Sequence, residues 1–184
     1  MQTNSQGPSF VRMSLETLRY AVPGDAAALA VLGARTFQDT YAALNTAENM
    51  ALHLAAAFSP ERQRVEIEDP GGFILVAEAQ NELIAYATVT HEIVPPAVGD
   101  AHALEIKRFY VDRAWHGLGV AQRLMTETFK AAAERGAATV WLTVWDQNPR
   151  AIAFYRKVGF SDAGMIHFRL GDEMQNDFLM VKSL

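Results

Sequence analysis

The sequence contains no cysteine. That absence excludes disulfide bonds, thiolate metal sites, iron–sulfur clusters and a cysteine nucleophile. Proline occurs seven times in 184 residues and half of the residues are apolar, which disfavours disordered, collagen-like and low-complexity scaffolds. No stretch approaches the ~18 consecutive apolar residues of a membrane span, and residues 1–13 lack the apolar segment of a signal peptide. We therefore expect a globular cytoplasmic protein without a membrane partner.

The chain also lacks an excess of positive charge. Sixteen lysines and arginines against twenty-one aspartates and glutamates give a formal net charge of −5. That sign is opposite to the one expected of a protein that tracks nucleic-acid phosphates. Spacings such as His-x-x-His, His-x-x-x-His and His-Glu-x-x-His are typical of a metal site. The five histidines show none of them. We expect no nucleic-acid partner and no metal ion, and the acidic balance favours a small cationic substrate.

Hydrophobic periodicity predicts a single α/β domain over residues 14–184, preceded by a loose tail at 1–13. Helical spacing of apolar residues covers segments that start near 26, 47, 60, 117 and 149. Short strand-like runs cover 15–22, 73–79, 83–92, 103–111, 139–145, 163–170 and 178–181. The order of these elements predicts a mixed central sheet of about six to seven strands flanked by helices.

Polar residues predict where three of these helices begin. Asp25, Ser59 and Asn148 each stand just before a helical run, and the last two directly precede a proline. A side-chain oxygen at this position can accept a hydrogen bond from a free backbone N–H, and proline suits the first helical position. We therefore expect all three to act as N-caps.

The most informative segment is a strand that leads into a glycine-spaced turn and then a long amphipathic helix. The turn reads His116-Gly117-Leu118-Gly119-Val120-Ala121. Free N–H groups at a helix start attract phosphate, and glycine lets a ligand approach the main chain. A dinucleotide fingerprint needs a third glycine where Gln122 stands, and a Walker A loop needs Gly-Lys-Ser/Thr. Neither motif is present. The alternative to a phosphate-binding turn is that the two glycines only end the strand and let the helix pack.

The turn resembles the pyrophosphate loop of the GCN5-related N-acetyltransferases (GNAT), whose pattern is Gln/Arg-x-x-Gly-x-Gly/Ala. Residues 141–160, with Asn148, Tyr155 and a final Gly159-Phe160, match the second signature of that family. The predicted order of elements agrees with the family over nearly all of 15–184. One departure is His116 at the first motif position, because histidine does not guarantee a positive side chain at neutral pH.

The resemblance implies an acetyl-CoA-dependent N-acetyltransferase in which the amine attacks the thioester directly in a ternary complex. It implies that the strands 103–111 and 139–145 splay apart and that the N–H of Phe109 or Val111 polarises the thioester carbonyl. The implied cofactor-binding residues are Phe109, Tyr110, Val111, His116, Gly117, Leu118, Gly119, Val120, Ala121, Asn148 and Tyr155.

Two residues are candidates for proton transfer. The resemblance places Tyr155 as the general acid for the departing thiolate, and a phenol is protonated at neutral pH; the alternative is a core tyrosine. Glu105 is the candidate base, or an anchor for a cationic substrate, and the alternative is an ion pair with Lys107 or Arg108. Asn148 can contact the cofactor, cap its helix, or do both.

A narrower resemblance, to bacterial polyamine N-acetyltransferases of the PaiA type, is carried by residues 36–41, 45, 48–50 and 168–177. It implies a polyamine or similar small amine as acceptor, with Phe37, Tyr41, Glu105 and Trp145 lining its pocket; aromatic residues at these spacings are also typical of a core. Competing functions are a peptide or protein N-acetyltransferase and a non-catalytic acetyl-CoA-binding module. An exposed strand at 178–181 could pair in a homodimer, and Arg113, Arg123 and Arg150 could contact phosphates or lie on solvated helix faces.

Overall fold

A computed structural model describes residues 16–42, 45–170 and 173–184. The helices are α1 (Ala26–Tyr41), α2 (Ala47–Ala57), α3 (Pro60–Glu68), α4 (Val120–Glu134) and α5 (Pro149–Lys157). The strands are β1 (Thr17–Tyr20), β2 (Phe73–Ala79), β3 (Glu82–Thr90), β4 (Leu104–Val111), β5 (Thr139–Trp145), β6 (Ser161–Leu170) and β7 (Glu173–Ser183). No helix within the described residues is long and apolar enough to cross a membrane. The expected tail at 1–13 lies outside the described residues, as do Gly171 and Asp172, which stand between the last two predicted strand runs.

The seven strands form one mixed sheet, as predicted, in the order β1-β2-β3-β4-β5-β7-β6. Only β4 and β5 run parallel, and all other neighbours are antiparallel. β7 lies between β5 and β6, so both of its edges are paired. The expectation that 178–181 form an exposed strand is therefore wrong; the outer strands are β1 and β6.

Helices cover both faces of this sheet. On one face, α4 and α5 bury residues such as Leu124, Met125 and Ile152 against β2 to β5. On the other face, Leu29 and Leu32 of α1 pack on β2 and β3. Beside them, Phe37 of α1 meets Met50 of α2 and Phe58 in a smaller cluster. The two helical layers leave the diverging ends of β4 and β5 accessible.

The helix caps agree with the sequence at two of the three predicted positions. Ser59 accepts from the N–H of Arg62, and Asn148 accepts from the N–H of Ala151. Asp25 stands at the N-cap position of α1 but makes no capping bond there. Its carboxylate instead accepts from the Val22 N–H at 2.8 Å and forms an ion pair with Arg19, because an arginine on the neighbouring strand reaches it.

Candidate functional site

One continuous cleft of about 1090 Å³ brings the predicted site residues together. It opens where β4 and β5 diverge and extends towards α1 and α2. The predicted residues that line it are Phe37, Tyr41, Glu105, Phe109, Tyr110, Val111, His116, Gly117, Gly119, Ala121, Asn148, Trp145 and Tyr155. Residues from three stretches that are distant in sequence thus share one site.

The cleft exists because β4 and β5 pair only at their beginning. The parallel register covers Leu104 and Glu105 of β4, whereas β4 pairs with β3 as far as Val111. A bulge in β4 leaves Lys107 without a partner on β3, between the paired positions 106 and 108. Beyond Glu105, the edge of β4 that faces β5 has no strand partner among the described residues. The predicted splay is therefore confirmed. An extended ligand can pair with such an edge as an added strand.

The glycine-spaced turn ends in the first turn of α4. Gly119 is the N-cap residue with a φ of +84°, and no side chain caps the free N–H groups that follow. Gly117 also has a positive φ. The side chain of Leu118 is exposed and that of Val120 is buried in the core, so neither lines the cleft. Any contribution from these two positions must come from their main-chain N–H groups, which suit an anion.

Three arginines lie near this turn, and two of them line the cleft. Arg113 and Arg150 line the cleft, and Nη1 of Arg150 lies 2.6 Å from Nδ1 of His116. Arg123 donates to the main-chain oxygen of Leu118 in the turn at 3.4 Å, but its charge pairs with Glu16 and it is not a lining residue. The positive charge at this end of the cleft therefore comes from the loop after β4 and from α5.

Tyr155 lies on α5 in an aromatic cluster beneath the splay. Its ring packs edge-on against Phe109 and Phe160, with centroid distances of 6.4 and 5.7 Å. Phe109 also stacks on Phe154 at 5.6 Å, which fixes β4 against α5. Burial raises the pKa of the Tyr155 phenol, so the hydroxyl keeps its proton at neutral pH. The residue is therefore both part of the core and a lining residue of the cleft.

Asn148 also combines two roles that the sequence left open. Its side-chain oxygen accepts from the Ala151 N–H at 3.1 Å and so begins α5, and the residue lines the cleft. Because the side-chain oxygen serves the cap, the amide NH₂ is the group available to a ligand.

Glu105 is half-buried at the narrow end of the splay. Burial raises the pKa of its carboxyl to about 7, although the nearby Lys107 ammonium acts in the opposite direction. Lys107 Nζ lies 2.6 Å from the carboxylate of Glu92, and Arg108 pairs with Glu66. Among the described residues, Lys107 and Arg108 thus form ion pairs with Glu92 and Glu66 and not with Glu105.

The wider end of the cleft is lined by aromatic rings. Tyr41 lies between Phe37 and Trp145, with centroid distances of 4.4 and 5.4 Å. His53 of α2 stacks on Phe37 at 4.3 Å, and Asp177 of β7 stands opposite Trp145 in the register. Neither His53 nor Asp177 was predicted as a site residue from the sequence. Asp177 lies within the segment 168–177 that carries the narrower resemblance. That resemblance was the one sequence signal that could have pointed to Asp177 as a site residue.

Burial raises the pKa of the Asp177 carboxyl, and a hydrogen bond from Thr143 partly offsets this. Like Glu105, it is an acidic group on the sheet surface of the cleft. Among the described residues, no three His, Asp or Glu side chains come together as a metal ion would require.

Comparisons with known proteins agree with this geometry. Residues 37–160 match the model of the acetyltransferase (GNAT) family. Over 160 residues the chain is 35% identical to an uncharacterized N-acetyltransferase of Mycobacterium bovis, covering 87% of this chain and 98% of that protein. Among solved structures, it is similar to the PaiA N-acetyltransferase from Thermoplasma acidophilum in complex with coenzyme A (TM-score 0.75, 22% identity, coverage 92% and 99%). It is also similar to a ribosomal-protein-alanine N-acetyltransferase from Brucella melitensis (TM-score 0.65, 24% identity, coverage 91% and 99%).

Proposed function

This chain belongs to the GNAT family and is an acetyl-CoA-dependent N-acetyltransferase, and from that premise we propose that its acceptor is a primary amine of a polyamine or similar small polycation. The observation that carries the proposal is the separation of charge along the cleft. Arg113 and Arg150 lie at the end with the glycine turn, whereas Glu105 and Asp177 lie on the sheet surface away from it. Lys107 and Arg108 also line the cleft beside Glu105, but their charges are paired with Glu92 and Glu66. The first end suits phosphates, and the second suits ammonium groups.

The spacing of the two carboxylates supports an acceptor with more than one ammonium group. Glu105 pairs in register with Trp141, and Asp177 pairs with Trp145. These β5 positions are four residues apart, which corresponds to about 13 Å along a strand. A chain of methylenes with an ammonium at each end can span such a distance. The rings of Phe37, Tyr41 and Trp145 offer it apolar surface and cation–π contact. A PaiA N-acetyltransferase among the structural neighbours supports the narrower resemblance from which this substrate class was inferred.

The proposed mechanism assigns one task to each group. The acetyl thioester supplies the activated acyl group. The Glu105 carboxylate removes a proton from the bound ammonium, which leaves a neutral amine as nucleophile. A main-chain N–H of Phe109 or Val111 donates to the carbonyl oxygen as negative charge develops on it. The new C–N bond forms as the C–S bond breaks, and the Tyr155 hydroxyl donates its proton to the departing thiolate. The attacking nitrogen loses its extra proton to give the neutral amide, and this proton restores the Tyr155 phenol.

An acceptor panel tests the substrate class. We expect spermidine to exceed a monoamine of similar length in kcat/KM by at least about tenfold. The advantage should shrink as salt screens the carboxylates. The readout is release of coenzyme A thiol. Asp177→Asn should lower kcat/KM for spermidine and leave the monoamine nearly unchanged. A peptide with an N-terminal alanine that outperforms every polyamine would show a peptide N-acetyltransferase, and coenzyme A binding without turnover of any amine would show a non-catalytic module.

The pH profile tests Glu105. Its carboxylate is the active form and predominates above the pKa of about 7, so kcat/KM should fall by about tenfold per pH unit below that value. Glu105→Gln should have a lower maximal kcat/KM and should not show this decrease at acidic pH. The pH dependence that comes from titration of the amine substrate should persist. A limb near pH 7 that survives in Glu105→Gln would assign the base to another group.

Thermal unfolding supplies a control for the same variant. Because the folded-state pKa of Glu105 is raised above its unfolded value of about 4.5, the folded protein holds this proton more tightly. Its stability therefore falls as pH rises from 4.5 to 7. Glutamine does not titrate, so Glu105→Gln does not lose stability from this group in this pH range. The Tm of the variant minus the Tm of the parent should therefore be more positive at pH 8 than at pH 4.5.

A further inference from the structure

His116 occupies the first position of the glycine-rich turn and makes two hydrogen bonds with its ring. Nε2 lies 2.9 Å from the main-chain oxygen of Val111, and Nδ1 lies 2.6 Å from Nη1 of Arg150. A carbonyl oxygen can only accept and a guanidinium can only donate. The neutral tautomer with its proton on Nε2 satisfies both of these bonds. Nη2 of Arg150 also lies 3.4 Å from Nε2, a longer contact that is not a hydrogen bond in this tautomer because both nitrogens carry hydrogen.

These bonds connect three segments at the open end of the splay. Val111 ends β4, His116 lies in the loop that follows, and Arg150 lies in the first turn of α5, beyond the end of β5. Arg150 is exposed, and an exposed arginine ordinarily samples many rotamers. The imidazole selects the rotamers in which the guanidinium lines the cleft together with the glycines of the turn.

We propose that His116 is a positioning residue that holds Arg150 at the pyrophosphate-binding turn, so that α5 supplies the positive charge that the first motif position lacks. A guanidinium can donate two parallel hydrogen bonds to a phosphate. The free N–H groups at the start of α4 face the same anion. His116 contributes through Arg150 and through the carbonyl of Val111, which keeps the ring itself in place. The inference concerns the donor end of the cleft and is independent of the acceptor.

Calorimetric titration of coenzyme A into single and double variants tests this coupling. Arg150→Met keeps the length of the side chain and removes its charge, and we expect the Kd to rise by about tenfold. His116→Leu should raise the Kd by about fivefold, because Arg150 stays charged but is no longer held. In the Arg150→Met background, His116→Leu should add less than about twofold. His116→Gln offers an amide that can both donate and accept, and should bind within about twofold of the parent.

Two further ligands separate positioning from general damage to the loop. Dephospho-coenzyme A retains the pyrophosphate and lacks the 3′-phosphate, so Arg150→Met should weaken it as much as coenzyme A. S-acetylpantetheine lacks the pyrophosphate, so its kcat/KM should be the same in the parent, His116→Leu and Arg150→Met. A loss confined to coenzyme A would place Arg150 on the 3′-phosphate and overturn the proposal. Additive effects in the double variant, or a loss of activity with S-acetylpantetheine, would also overturn it.

Discussion

Tyr155→Phe should lower kcat by about 10²–10⁴-fold, the range expected when a general acid is removed. The proton is needed only when the thiolate leaves, so the Kd for coenzyme A should change by less than about twofold. The ring of Tyr155 remains packed against Phe109 and Phe160 in the variant, since only the hydroxyl is lost. Steady-state kinetics with saturating acetyl-CoA and calorimetric titration of coenzyme A measure the two quantities separately.

Tyr86→Phe is the matched control for this variant. Tyr86 is a fully buried tyrosine, and its hydroxyl has no hydrogen-bond partner among the described residues. It does not line the cleft. Removal of this hydroxyl should leave kcat unchanged. If Tyr155→Phe retains activity within about twofold of the parent, Tyr155 is a core residue and another group must protonate the thiolate.

Gly119→Leu should raise the Kd for coenzyme A by more than tenfold, which is ~1.4 kcal/mol. Gly119 has a φ of +84° at the start of α4, a conformation that costs other residues about 1–2 kcal/mol. A side chain there also stands between the ligand and the free N–H groups of the helix. A Cβ at this position meets only the flexible end of Arg123, at 2.9 Å, so the protein itself can accommodate it. Calorimetric titration at a temperature well below the Tm gives the Kd.

Gly136→Leu separates the loss of binding from the loss of stability. Gly136 also has a φ of +84°, follows the far end of α4, and has no atom within 4 Å of an added Cβ. Both variants should show a similar fall in Tm, because both force a side chain into the same backbone conformation. Only Gly119→Leu should lose affinity. An unchanged Kd in folded Gly119→Leu would mean that the pyrophosphate binds elsewhere.

The sequence predicted those elements whose structure is decided locally. The bounds of β2 and β5 agree with the predicted runs, since apolar stretches between turn residues define them. Gln80 and Asn81 form the turn between the two predicted runs 73–79 and 83–92, with positive φ angles of 55° and 63°. Ser59 and Asn148 cap their helices because a short side-chain oxygen needs only the next turn of the backbone.

The position of β7 could not be obtained in this way. Strand order depends on pairings between segments that are far apart in the chain, and a hydrophobic run does not state its partners. The same limit applies to the bulge at Lys107, which appears only in the register between β3 and β4. Asp25 shows a related effect, since Arg19 on a neighbouring strand competes for the carboxylate that the helix would use.

The same difference between local and long-range features applies to the candidate site. The glycine turn, Asn148 and Tyr155 have fixed spacings along the chain, so their pattern was recognisable. Asp177 and His53 reach the cleft only through tertiary packing of β7 and α2, and neither belongs to a spaced motif. The pairing of His116 with Arg150 joins the two spaced motifs to each other. The departure at His116 was visible in the sequence, but its partner could be found only in three dimensions.

The insertion of β7 between β5 and β6 affects the order in which the protein can assemble during translation. β7 is synthesised after all the other described elements, yet it pairs with β5 from Thr139 to Trp145, whereas β4 pairs with β5 at only two positions. A nascent chain that has reached the end of β6 therefore carries β5 with one edge unpaired, a template for association with other chains. The wall formed by Trp145 and Asp177 arises only when β7 enters that gap. The proposed acceptor wall is therefore completed after all the other lining residues of the cleft have been synthesised.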